Sequence, residues 1–196
     1  DLDRLAKLKK VTVNFSPMLA VPHPQMKVFV ETPLGKERHQ QQYPVKTAID
    51  KGLIAGFGSD FPSSLVPDPN SFYYMNGWVT REVPGQPELG TINIENAISV
   101  EEAIKGFTLG GAQALGYDYA NDFGSIEEGK SADMILLDRN LLEIETSDIF
   151  NTKVLVTVFR GRVVFDREKS LNELEITQIE ITNKDLDNAV DAADLN

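Results

Sequence analysis

The chain has 196 residues, 41% hydrophobic and 25% charged, enough apolar material for a packed core and unlike a disordered or collagen-like chain. Its formal net charge is −11, from 19 Lys and Arg against 30 Asp and Glu, so a phosphate backbone or an anionic membrane surface would repel it. It has no cysteine, which excludes disulfides, thiolate catalysis and Cys-based metal centres.

The length predicts one domain, or one and a part. No apolar run approaches the ~20 residues that span a bilayer, so no membrane span is expected and the chain is read as soluble, in the cytoplasm or the periplasm. The start, Asp1-Leu2-Asp3-Arg4, carries no initiator Met and no signal-peptide pattern, and it reads as the middle of a longer protein.

In chain order, Leu2, Leu5 and Leu8 have helical spacing, and Val11 to Ser16 is β-branched and alternating, which predicts a strand. Pro17, Pro22 and Pro24 end it. The polar stretch to about Gln42 reads as a long connecting loop holding both histidines, His23 and His39, and such loops are often functional or mobile. Val45 to Asp50 predicts a short helix stopped by Gly52. Ile54 to Gly58, small and apolar, predicts a buried strand that presents Asp60 at its end. Asp68-Pro69 reads as an N-cap and first helical position. The helix it opens carries Phe72, Met75 and Val79 on one side, with Tyr73, Tyr74 and Trp78 nearby.

Ser99-Val100-Glu101-Glu102 has the form of a capping box, and the helix after it is closed by Gly116. The Gly110-Gly111 pair inside costs about 1 kcal/mol per glycine relative to alanine, which predicts close packing or a break. After Gly116 the pattern changes to strands over residues 132–138, 153–159 and 162–165, the last two joined at Arg160-Gly161 as a hairpin. Asp133 and Asp138 flank the first of these and read as strand-end turn formers. From Asp166 onward there are nine acidic and three basic residues, a net −6. This tail reads as a solvated acidic extension. Asp185 to Asp194 has only a loose likeness to a calcium loop, without its glycine and terminal glutamate. Residues 175–182 alternate as a short strand does.

The strongest chemical signal is Gly58-Ser59-Asp60-Phe61-Pro62. A carboxylate at the C-terminal end of a buried strand in an α/β setting is where barrel enzymes place catalytic groups. The alternative from these residues alone is an Asp that caps a turn beside a proline.

Taken together, residues 11–17, Gly58-Ser59-Asp60, Asp68-Pro69, Val79-Thr80-Arg81-Glu82, residues 99–103 and Phe107-Thr108-Leu109-Gly110-Gly111-Ala112 resemble the amidohydrolase superfamily. They are most similar to the metal-dependent group that includes the N-substituted formamide deformylases. Residues 124–138 and 156–165 resemble that family's entry into a small β-sandwich and its closing hairpin. The resemblance covers residues 1 to 166.

It implies an α/β fold: strands seven and eight of a TIM-like (β/α)8 barrel over residues 1–116, β-sandwich strands over 117–166, and the acidic extension over 167–196. It also implies a hydrolase acting on C–N bonds of a small amide-like substrate. The cofactor would be a divalent metal, zinc by resemblance, in the full-length parent, with this chain alone holding none tightly. Asp60 matches the strand-eight aspartate, a metal ligand that takes a proton from the attacking water. The family's His-x-His pair and its other ligands have no counterpart in this sequence.

Further candidates are read both ways. His23 follows strand seven and is a substrate-binding candidate beside the reading of an exposed loop histidine. His39 reads as part of a polar surface, and two lone histidines at this spacing are no metal signature. Arg81 is a candidate for a substrate carbonyl or carboxylate, against a helix-surface salt bridge with Glu82 or a neighbour. Phe61, Tyr73, Tyr74 and Trp78 are candidates to shape an apolar substrate pocket, Phe61 as a substrate contact, against the reading of aromatics at helical spacing as core. Deamination or ring opening is the alternative within the family. A non-catalytic α+β piece that self-associates as a homo-oligomer is the alternative outside it. No nucleic-acid partner is expected.

Overall fold

A computed structural model describes residues 1–8, 11–16, 20–60 and 70–170. The elements in order are α1 (Leu2–Leu5), β1 (Thr12–Phe15), α2 (Pro24–Met26), α3 (Thr32–Leu34), α4 (Lys36–Gln40), α5 (Val45–Asp50), β2 (Ile54–Phe57), α6 (Ser71–Thr80), α7 (Val100–Lys105), α8 (Gly111–Leu115), β3 (Met134–Leu137), β4 (Val154–Phe159) and β5 (Arg162–Asp166). A π-helical turn, Lys27–Glu31, joins α2 to α3, and another, Gly106–Gly110, joins α7 to α8.

β1 and β2 pair in parallel, with Thr12 opposite Ile54 and Phe15 opposite Phe57. The ladder extends one step further, since Gly58 N–H donates to the Phe15 carbonyl at 3.4 Å. The two strands therefore end side by side. Parallel strands need a crossover, and α2 to α5 supply it. Residues 20–42 are not the loop that their polarity predicts. From Pro24 to Gln40 the chain is largely helical, opened by proline at the first helical position and turned at Gly35, whose φ is +83°. α5 spans the predicted residues, and Gly52 at φ +80° ends it.

α6 begins at Ser71, two residues later than a proline start at position 69 requires. Its N-cap is Asn70, whose side chain accepts from Phe72 N–H at 3.0 Å. Asp68 and Pro69 lie outside the described residues. Phe72, Met75 and Trp78 face the core, at the i, i+3, i+6 spacing of one helix side. Asn76, also buried, donates to the Thr146 carbonyl and fixes α6 against the 3-10 turn Thr146–Asn151, which contributes Ile149 to the same core.

The capping box forms as predicted. Ser99 accepts from Glu102 N–H at 3.2 Å, and Glu102 accepts from Ser99 N–H at 2.9 Å. The helix that follows lies against β2 with almost nothing between the backbones. A Cβ at Gly110 would stand 2.1 Å from the Ala55 carbonyl oxygen, and one at Gly106 would stand 2.2 Å from the Phe57 ring. Close packing is therefore the reason for Gly110. Gly111 has only the Gly106 carbonyl at 3.7 Å and is not so constrained.

β3, β4 and β5 form an antiparallel sheet in that order. Arg160 at φ +49° and Gly161 at φ +73° make the two-residue turn with left-handed conformation at both positions, which matches the twist of a hairpin. Asp133 accepts from Arg160 N–H at 2.7 Å and Asp138 from Lys153 N–H at 2.9 Å, the strand-end roles expected of them. Ile135, Leu136, Val163 and Val164 of this sheet are half or more exposed. Residues 175–182 and the loose calcium-loop likeness lie outside the described residues. Among the described residues no helix is long and apolar enough to cross a membrane.

Candidate active site

The joint carboxyl end of β1 and β2 rests on an aromatic floor. Trp78 is fully buried, stacks on Phe57 at 5.1 Å and 27°, and takes Phe15 edge-on at 5.9 Å and 76°. Phe15 and Phe57 are the last residues of the two strands, so Trp78 locks their ends together. Aromatic pairs of this geometry contribute about 0.5–1.5 kcal/mol each beyond their buried area. The same indole packs against Tyr43 at 6.2 Å.

Asp60 lies three residues beyond β2 and is exposed, with φ +57°. Left-handed backbone is uncommon for any residue with a Cβ, and Asp is among those that tolerate it. Tyr43, at φ +56°, is a bulky residue in the same conformation and a stronger outlier. Burial pushes the Tyr43 phenol above its ordinary range, and the negative charge of Asp60 adds to the rise.

Arg81 is not the surface ion-pairing residue that its place beside Glu82 predicts. It is fully buried, caps α6 in the left-handed conformation at φ +60°, and lies over the Trp78 ring at 5.5 Å. Its Nε donates to the Ile92 carbonyl at 3.0 Å and its Nη2 to the Gln42 carbonyl at 3.3 Å. Burial pushes the guanidinium down to about 10. Among the described residues Nη1 is buried without a hydrogen-bond partner. The Gln42 carbonyl also accepts from Asn93 Nδ2 at 2.7 Å, and Asn93 itself has φ +50°. Asn96 donates to Asn93, and its carbonyl oxygen takes both Thr47 N–H and Thr47 hydroxyl at 3.0 Å. A polar chain thus runs from the end of α6 to the residue before Tyr43 and on to α5.

The two histidines serve different ends. His23 is half-buried and caps α2, its Nδ1 accepting from Gln25 N–H at 3.3 Å. That bond requires an unprotonated Nδ1 and so the tautomer with the proton on Nε2. His39 is not on a polar surface. It is 5% exposed, and its Nδ1 donates to Glu31 Oε2 at 3.1 Å across the helical segment. Tyr74 and Trp78 are core, as their spacing predicts, and Tyr73 is half-buried. Phe61 lies outside the described residues.

A catalytic zinc site takes three protein ligands. Among the described residues no three His, Cys, Asp or Glu side chains converge into such a group. These residues alone do not fit a complete metal centre, and Asp60 is the carboxylate they bring to the strand ends. Sequence reading anticipated the position of Asp60 beyond the strand and missed the left-handed Tyr43 and Asn93 and the buried hydrogen bonds of Arg81. Positive-φ residues without glycine leave no composition signal, and Gln42 takes part through its backbone.

Comparison with known proteins agrees with this architecture. The family model described as amidohydrolase family matches residues 1–165. The N-substituted formamide deformylase of Arthrobacter pascens is 27% identical over 135 residues, 68% of this chain and 23% of that protein. An imidazolonepropionase of Clostridium tetani is 36% identical over 90 residues, 46% of this chain and 18% of that protein. The crystal structure of an adenosine deaminase from Xanthomonas campestris with bound zinc superposes with a TM-score of 0.56 at 19% identity, covering 84% of this chain and 34% of that one. The chain thus spans about a quarter or less of the length of these curated relatives. With the family model covering the parallel strand pair, the glycine-packed helix and the antiparallel sheet alike, the chain belongs to the amidohydrolase family.

Proposed function

We propose that this chain is the C-terminal part of a metal-dependent amidohydrolase that hydrolyses C–N bonds of small amide-like substrates. β1 and β2 are then the seventh and eighth barrel strands, residues 1–116 the barrel portion, residues 117–166 the sandwich portion and residues 167–196 an extension. The observation that carries the reading is Asp60, exposed just beyond the end of β2 beside the paired end of β1. In a barrel the carboxyl ends of parallel strands carry the chemistry.

In this reading Asp60 is one ligand of a divalent cation, zinc by family, whose other ligands come from outside the described residues. That cation supplies Lewis-acid chemistry when bound. Asp60 accepts the proton of the attacking water and hands it to the departing amine. Its exposure supports this, because a carboxylate open to the crevice can meet water and substrate. His23 and Phe61 are the proposed substrate contacts at the rim, and Arg81 supports the crevice from beneath. The half-exposed apolar residues of β3 and β5 support a sheet that packs against further strands.

Similarity to an imidazolonepropionase supports a second reading within the family, deamination or ring opening. The bare sheet supports a third, self-association of a non-catalytic chain, which a solution mass measurement separates from the first. The deciding experiment is Asp60→Asn in the protein encoded by the full gene, assayed on acyclic amides, cyclic amides and aminopurines. Loss of turnover with retained secondary structure is the expected result, and unchanged turnover refutes the assignment.

A further inference from the structure

Trp78 and Arg81 are the largest fully buried side chains among the described residues. Each carries a donor, Trp78 Nε1 and Arg81 Nη1, that is buried without a hydrogen-bond partner. An unpaired buried donor costs free energy that a hydrophobic side chain of the same size would not. Both residues stand at the carboxyl end of α6, Trp78 in its last turn and Arg81 as its C-cap, and the guanidinium lies over the indole at 5.5 Å. The guanidinium is pinned by the Ile92 carbonyl at 3.0 Å and the Gln42 carbonyl at 3.3 Å, which lie 11 and 39 residues away along the chain. The indole in turn stacks on Phe57 at 5.1 Å and takes Phe15 edge-on at 5.9 Å, and these two are register partners at the ends of β2 and β1. Gly58 N–H continues that ladder to the Phe15 carbonyl, and Asp60 follows two residues later. An unbroken set of contacts therefore runs from two distant loops through Arg81 and Trp78 to the strand ends.

We propose that Trp78 and Arg81 are positioning residues of the Asp60 site: Arg81, fixed to the Gln42 and Ile92 carbonyls, holds the Trp78 ring, and the ring holds the ends of β1 and β2 that lead to Asp60. The inference rests on the assignment of Asp60 above. A general base works only within hydrogen-bond reach of the proton it takes, and a misplacement of about 1 Å costs up to about 100-fold in rate. Only Gly58 and Ser59 separate Asp60 from Phe57, and the ladder bond at Gly58 restrains the first of them. A tilt or slide of the strand end is therefore passed on to the carboxylate. Being fully buried, Trp78 and Arg81 meet neither water nor substrate, so they act through the strand ends alone. A hydrophobic residue in place of Arg81 would fill the volume, but it would hold neither carbonyl, and α6 would lose its tie to both loops.

The test uses the protein encoded by the full gene, with N-butylformamide, hydantoin and adenine as probes, and follows whichever the wild type consumes. Arg81→Met keeps most of the volume and removes the charge and both clamps. Its kcat is expected to fall about 10- to 100-fold with KM changed less than about threefold, while its unfolding midpoint stays level or rises. Trp78→Phe keeps a ring against Phe57, removes the unpaired N–H, and is expected to lower kcat about tenfold with an unchanged far-UV spectrum. Arg81→Lys, a point charge that reaches one carbonyl, recovers part of the kcat lost in Arg81→Met, and it carries the test with Trp78→Phe should Arg81→Met fail to fold. The Arg81→Met, Trp78→Phe double variant loses less than the product of the single losses, since both act through the same strand ends. Ile149→Val, in the same core but outside the ring contacts, lowers the midpoint and keeps wild-type kcat. A merely structural role predicts wild-type kcat in every variant that is folded at the assay temperature. That result, or a kcat lost equally in Ile149→Val, or fully multiplicative losses in the double variant, overturns this inference and leaves the Asp60 assignment standing wherever Asp60→Asn abolishes turnover. If Asp60→Asn is fully active, or the wild type consumes none of the three probes, both fall.

Discussion

Adjacent glycines in the helix against β2 are expected to respond to alanine with opposite signs. A Cβ on Gly110 would lie 2.1 Å from the Ala55 carbonyl oxygen, whereas ordinary contact begins at 3.4 Å. The helix and the strand must therefore part by more than 1 Å. Backbone stands on both sides, so no rotamer change relieves the clash. That separation loosens Phe57 from Phe107, now 5.3 Å apart, and from Trp78. Overpacking of this kind costs about 1–3 kcal/mol, and here the rigid partner places it at the upper end. Alanine returns about 1 kcal/mol of helix propensity, leaving a net loss of about 2 kcal/mol for Gly110→Ala. Gly111 has helical angles, φ −62° and ψ −45°, and its nearest neighbour stands at 3.7 Å. Gly111→Ala is therefore expected to stabilise by about 0.5–1 kcal/mol. Urea unfolding followed by the fluorescence of Trp78, the single tryptophan of the chain, reads both. Equal midpoints for Gly110→Ala and wild type would refute the glycine-to-backbone contact as the reason for that residue.

Other substitutions test the elements around the site. Ser99→Ala removes one half of the capping box and is expected to cost about 1 kcal/mol by the same unfolding assay. Gly161→Ala places a Cβ at φ +73° in the hairpin turn and is expected to destabilise by about 1 kcal/mol, while Arg160→Asn, better suited to the left-handed position beside it, raises the midpoint. The hydrogen bond from Arg139, helped by Lys153 N–H, holds Asp138 below the usual carboxylate range. A group whose folded pKa is depressed contributes stability that is present above its unfolded value near 4 and lost as pH falls through the folded one. Asp138→Asn is therefore expected to flatten the loss of stability below pH 4, measured as the difference in unfolding midpoint between variant and wild type.

Most of the scaffold was legible because its signals are local. Val45 to Asp50, the capping box at Ser99 and the Arg160-Gly161 hairpin each follow from a few neighbouring residues, and each formed as read. The crossover was misread because polarity alone does not distinguish an exposed helix from a loop, and the helix start at Pro24 was taken for a strand terminator. The place of Asp60 just beyond β2 was legible because an apolar strand precedes it. Arg81 was not, since a charged residue at the end of a helix reads as surface whenever its acceptors are carbonyls far along the chain. His39 was missed for a similar reason, because its partner Glu31 lies across a glycine-turned segment that polarity assigned to a loop.

The buried Arg81 makes little sense as a stabiliser of the fold alone. Burial pushes its guanidinium down to about 10, which by the usual conversion is a penalty of roughly 3 kcal/mol on the charged form. A hydrophobic residue of similar volume stacked on Trp78 would avoid that penalty, and such replacements of buried charges are often neutral or stabilising. What no hydrophobic side chain can do is hold two separate carbonyls, those of Gln42 and Ile92, at the entry to two left-handed residues, Tyr43 and Asn93. Only a planar fork with several donors reaches both. The cost is therefore spent on the conformation of the Gln42–Tyr43 corner, and that corner faces the same aromatic floor as the strand ends that lead to Asp60. Stability sacrificed to fix one backbone geometry is the signature of a site whose precision matters more than its burial.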